Sequence, residues 1–71
     1  MEKETVLDIA KKYRNMSHNY SSYGEDQCAQ FEQYAEIIEE EINLFVEDDY
    51  YETEKDVLEF AKEIYRMAID H

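Results

Sequence analysis

Proline is absent and glycine occurs once, at Gly24. No proline kink is therefore forced inside a helix, and no glycine-rich phosphate cradle can be built. A single cysteine, Cys28, excludes an internal disulfide and fits a reducing cytosol. With His18 and His71 as the other soft ligands, and no close pair among the three, a zinc site is not expected. No run approaches the roughly 18 apolar residues needed to cross a bilayer. Met1-Glu2-Lys3-Glu4 lacks the apolar stretch of a signal peptide, so a cytoplasmic location is expected. Bases are scarce: seven Lys and Arg against nineteen Asp and Glu, for a net charge of −12. An acidic surface repels nucleic acid and anionic membranes, so direct binding to either is not expected, and the natural partners are basic surfaces.

What is present suits one small domain spanning all 71 residues. A chain this short buries only about 60% of its unfolded surface, so its own core is marginal. Two remedies are open: a well-packed helical bundle, or assembly with a second copy or a partner. Apolar residues make up 44% of the chain, and seven tyrosines and three phenylalanines add aromatic bulk. That composition argues against disorder despite the charge.

Periodicity sets the fold class. Val6, Ile9, Ala10, Tyr13 and Met16 repeat with helical spacing, with Leu7 beside them, and predict a helix over about 3–16. Ser17 to Gly24 has loop chemistry. Ser22, three residues before Glu25, has the form of a capping box. Cys28, Phe31, Ala35, Ile38, Ile42 and Phe45 form one stripe and predict a long helix over about 25–46. Tyr34, Ile37 and Leu44 broaden that stripe beyond what one neighbour covers. Thr53 with Asp56, or Asp49 with Glu52, can cap a last helix over about 53–70. That helix carries Val57, Ala61, Ile64 and Ala68. The expectation is an all-α, three-helix unit whose second and third helices form a long antiparallel hairpin.

Charge is distributed less evenly than hydrophobicity. Residues 25–56 hold thirteen acids and one base, Lys55, while the other 39 residues hold six of each sign. The whole net charge thus lies in one continuous segment. Ordinary solvated helices interleave Glu with Lys at i, i+4. The long helix has no Lys or Arg, and Glu32–Glu36 and Glu36–Glu40 are like-charge pairs that each cost a few tenths of a kcal/mol. A field kept at a cost in stability suggests a use.

Other chemistries fit less well. Asp48 to Glu59 has the length of an EF-hand loop, but position six is Thr53 rather than glycine and position three is Tyr50. Cys28 lies on the apolar stripe, where a thiol behaves as a small hydrophobe, and His18 reads as an ordinary loop histidine. Paired carboxylates do acid–base work only in a pocket that separates their pKa values. No reaction-class constellation can be assembled, so no catalytic residue, metal or cofactor is expected and the chain does not read as an enzyme. Phe31, Phe45, Phe60 and Tyr65 read as core. Tyr20, Tyr23, Tyr50 and Tyr51 fall in expected loops or turns, where tyrosine either seals a bundle end or meets a partner.

Carboxylates four apart on a helix lie about 6 Å apart. Phosphates on one DNA strand have a comparable separation, built from about 3.4 Å of axial rise and the displacement around the helix. A rigid acidic helix can therefore occupy a surface that grips nucleic acid. The candidate partner-binding residues are Glu32, Glu36, Glu39, Glu40, Glu47, Asp48, Asp49 and Glu52 for the field. Tyr50 and Tyr51 would add contact area.

With Glu25 through Asp56 so arranged, the chain resembles the small acidic inhibitors that phages and mobile elements direct against host nucleic-acid-binding proteins, among them anti-CRISPR proteins and DNA mimics. That resemblance implies a non-catalytic inhibitor acting in a host cytoplasm. The order of elements is also similar to that of phage proteins that sequester cyclic oligonucleotide signals: a short helix, the aromatic stretch His18 to Tyr23, a long helix, and a closing helix with Ala61, Ala68 and Ile69. That resemblance implies an oligomeric small-ligand sponge. An antitoxin-like or self-assembling helical module, working through the apolar stripe, is a third possibility.

Overall fold

The computed structural model describes residues 1–47 and 50–69. Among these there are four helices and no strand. Helix α1, Lys3–Met16, buries Val6, Ile9, Ala10 and Tyr13, the stripe its sequence spaces for one face. It ends where Ser17 turns its side chain back. The Ser17 hydroxyl donates to the Arg14 carbonyl at 2.5 Å, and the Ser17 amide donates to the Tyr13 carbonyl at 2.9 Å. These bonds satisfy a buried polar residue, since Ser17 is only 4% exposed.

The long second helix of the sequence reading is two helices. Helix α2 is Tyr20–Glu40 and helix α3 is Ile42–Glu47, separated by Glu41 at φ −100°, ψ 23°. Glu41 still donates its amide to the Ile37 carbonyl at 3.0 Å, and its own carbonyl accepts from the Leu44 and Phe45 amides at 3.0 and 3.4 Å. Phe45, beyond the break, is fully buried. The Ser17–Gly24 stretch is not all loop either. Tyr20–Tyr23 forms a helical turn, set off from the rest of α2 by Gly24 at φ 80°, ψ 167°. The anticipated Ser22–Glu25 capping box is not made; among the described residues neither side chain hydrogen-bonds.

Helix α4, Glu54–Ile69, begins with the Thr53–Asp56 box. The Asp56 amide donates to Thr53 Oγ1 at 3.3 Å. Asp56 Oδ2 accepts from the Thr53 amide at 3.2 Å, the Thr53 hydroxyl at 3.0 Å and the Glu52 amide at 3.3 Å. These bonds to the ionised form hold the Asp56 carboxyl below its ordinary value, the Thr53 hydroxyl contributing most.

Helix α1 is the centre of the packing. It lies along α2 most extensively and also meets α3 and α4, while α2 packs on α4. The core joins Val6, Ile9, Ala10 and Tyr13 to Phe31, Tyr34, Ala35 and Ile38, then to Phe45, Tyr51, Val57 and Ala61. Ala35 and Ala61 are fully buried and allow close helix approach, whereas Ala68 is exposed. The apolar stripe of α4 is therefore covered through Tyr65, which packs on the core, and left open at Met67, Ala68 and Ile69. No helix among the described residues is long and apolar enough to cross a membrane.

Candidate functional site

Helix α2 turns Cys28, Phe31, Tyr34, Ala35 and Ile38 inward. The same 3.6-residue repeat carries Glu32, Glu36 and Glu40 to the outer side, one turn apart, and all three are exposed. Glu25, seven residues before Glu32, extends the row and is exposed too. None of the four has an ion-pair partner among the described residues, where the ion pairs are Lys12–Glu54 and Arg14–Glu39.

Glu39 has a different place. It lies at the edge of α2 that faces α1, and Arg14 grips it with two parallel bonds, Nη2 to Oε2 at 2.9 Å and Nε to Oε1 at 3.2 Å. Such a two-point contact suits the guanidinium fork. The Arg14 guanidinium is held above its ordinary value, first by its hydrogen bond to Glu39 and then by the Glu39 charge, with Glu32 and Glu36 adding to it. Lys12 Nζ likewise binds Glu54 Oε1 at 2.9 Å, tying α1 to α4, and is raised for the same reason. The charge segregation of the sequence is thus partly undone in space.

Among the remaining candidates, Glu47 closes α3 and Glu52 precedes α4; both are exposed. Asp48 and Asp49 lie outside the described residues. Tyr50 is 78% exposed. Tyr51, expected to offer contact area, is instead core: it is 7% exposed. Its ring meets Phe45 edge-on, with centroids 4.9 Å apart, and Phe60 at 5.4 Å. Spacing from Ile38 and Ile42 places Phe45 inward; it does not foretell the burial of Tyr51 against it, because Tyr51 lies outside any helix. Of the two earlier tyrosines, Tyr20 is 61% exposed, whereas Tyr23 is half-buried and stands edge-on to Phe31 at 5.0 Å. Cys28 is buried, its thiol near the Met16 carbonyl at 3.7 Å.

Besides a shallow cleft of about 520 Å³ beside Thr5, Asp8 and Glu54, the described residues form two clefts on α4. One, of about 340 Å³, lies between Tyr50–Tyr51 and the outer side of α4, with Phe60, Glu59 and Glu63 in its walls. The other, about 210 Å³, lies between α2 and α4. The lining of the second joins Gln30 and Tyr34 of α2 to Lys62, Tyr65, Arg66 and Ile69 of α4, far apart in sequence. Among the described residues no group of three or more His, Cys, Asp or Glu side chains could hold a metal ion.

No protein-family model, curated protein or solved structure matches this chain. Fold and face together define a small all-α unit carrying an exposed carboxylate row.

Proposed function

We propose that this is a non-catalytic binding protein whose acidic face occupies a basic, nucleic-acid-binding surface on a partner protein. The observation that carries the reading is the Glu32–Glu36–Glu40 row: exposed, one turn apart, and without an ion-pair partner among the described residues. Glu25, Glu47 and Glu52 add further exposed negative charge, and Tyr50 supplies exposed aromatic area. Such a field speeds encounter with a cationic groove and selects for it. The reading accords with an inhibitor of the phage counter-defence kind, in which a protein takes the place of nucleic acid. It involves neither catalysis nor a cofactor.

The triple reversal E32K/E36K/E40K tests the reading. All three side chains are exposed; the i, i+4 pairs stay like-charged, now Lys with Lys, but three reversals of two charges each bring the chain from −12 to −6 and lessen its self-repulsion, so the fold should hold. The immobilised wild-type chain should retain a nucleic-acid-binding protein from host lysate at low salt and release it at high salt. Retention by the reversed variant at wild-type strength would refute the reading.

A second reading, a self-assembling or antitoxin-like helical module, draws on the end of α4, where Met67 and Ile69 are each 61% exposed. Its mark is concentration-dependent association that persists at high salt.

A further inference from the structure

The cleft between α2 and α4 has a composition unlike the rest of the molecule. Gln30, Tyr34, Lys62, Tyr65, Arg66 and Ile69 line it: two cations and, among the described residues, no carboxylate, in a chain with a net charge of −12. Lys62 and Arg66 are one turn apart on α4, so both head groups can reach one ligand. Neither forms an ion pair among the described residues, whereas Lys12 and Arg14 both do.

The floor of the cleft adds an independent sign. Tyr34 is 8% exposed, and its ring is held edge-on to Tyr65 with centroids 5.5 Å apart. Its hydroxyl makes no hydrogen bond among the described residues, yet it is not sealed from solvent. A tyrosine this buried ordinarily finds a partner for its hydroxyl. Burial pushes the Tyr34 phenol up, the nearby Tyr65 hydroxyl pushes the same way, and Arg66 draws it down. Tyr34 and Arg66 both line the cleft.

We propose that this cleft binds the carboxylate of a small organic acid, with Arg66 and Lys62 on the carboxylate oxygens, the Tyr34 hydroxyl donating to one of them, and Tyr65 and Ile69 walling an apolar substituent. A guanidinium fork fits a planar carboxylate at two points. Size favours a small ligand, because about 210 Å³ falls short of the roughly 300 Å³ at which ligand pockets begin. Charge favours a monoanion, since a dianionic phosphate carries twice the charge into the repulsive field of the acidic chain. On their other side Lys62 and Arg66 border the Tyr50 cleft, but there Asp56, Glu59 and Glu63 share the lining, which suits an anion less well. The site does not depend on the acidic face, and neither proposal falls with the other.

The full chain, labelled with 15N, is titrated at constant ionic strength with N-acetyl-L-phenylalanine, its neutral amide, and phenyl phosphate. The carboxylate should give saturable amide shifts at Gln30 and along 62–69, the amide should give none, and phenyl phosphate should bind more weakly. K62Q/R66Q, at exposed positions, should abolish the shifts. Y34F should weaken binding about three- to tenfold, the value of one hydrogen bond. Equal binding by the amide, tighter binding by phenyl phosphate, an unaffected K62Q/R66Q variant, or no saturable shift would each overturn the assignment. Sedimentation of the same samples covers the remaining source: self-association lost in K62Q/R66Q would give the site to a carboxylate of a second copy and overturn the small-ligand assignment.

Discussion

Arg14 of α1 grips Glu39 of α2 at two points, 2.9 and 3.2 Å, and so divides the acidic segment into a carboxylate matched at home and a row left unmatched. The pair is surface-exposed, 41% on each side chain, so screening governs its worth. R14A removes a cation from a chain already at −12 and leaves Glu39, Glu36 and Glu32 to repel one another. The melting temperature should fall at low salt and return toward wild type as salt rises. An equal loss at all salt concentrations would mean that Arg14 acts through its packing. Partner capture should survive this change, because Glu32, Glu36 and Glu40 are untouched.

Gly24 separates the Tyr20–Tyr23 turn from the body of α2 with φ 80° and ψ 167°, a region that only glycine visits readily. A Cβ placed there meets nothing within 4 Å, so the cost of G24A is conformational, not steric. Urea unfolding should show a loss of about 1–3 kcal/mol. A neutral result would mean that the turn relaxes without harm to the Tyr23–Phe31 contact.

Adjacent tyrosines should behave oppositely. Y51A empties a site walled by Phe45, Phe60 and Tyr50 and should cost about 3 kcal/mol or more, a large part of what a domain this size possesses. Y50A removes a side chain that is 78% exposed; it should leave stability within about 0.5 kcal/mol and lower partner affinity. Urea midpoints and a partner-capture assay separate the two effects.

Asp56 gives the capping box a pH signature. Its folded-state pKa is depressed by the Thr53 hydroxyl and amide, so its stabilising contribution is present above the ordinary carboxylate value and lost as pH falls through the folded one. The melting-temperature gap between wild type and D56A should be constant near neutrality and close in acid. A gap that persists below the folded pKa would place the effect in the helix-forming preference of the residue instead.

Much of the fold was legible because it is local. The spacing of Val6, Ile9, Ala10 and Tyr13 marks α1 over 3–16, and Thr53 with Asp56 marks the start of α4. The break at Glu41 was not legible. Glutamate favours helix, and the stripe from Ile38 through Ile42 to Phe45 runs through it unchanged. The gain from burying Phe45 beside Tyr51 and Phe60 is a tertiary one, which overrides propensity. The Tyr20–Tyr23 turn was hidden likewise behind Ser, Asn and Gly, although Tyr23 gains a ring contact on Phe31. Of the acidic face, the exposure of Glu32, Glu36 and Glu40 followed from periodicity alone. The pairing of Glu39 did not, because Arg14 lies 25 positions away in sequence.

Competition with DNA tests the acidic-face mechanism most directly. A protein captured on the immobilised chain is challenged with duplex DNA and, separately, with high salt. If the Glu32–Glu36–Glu40 row occupies a nucleic-acid-binding groove, DNA and salt should each release the captured protein, and E32K/E36K/E40K should fail to capture it. A partner that resists DNA and salt and binds the reversed chain equally well would contradict the account.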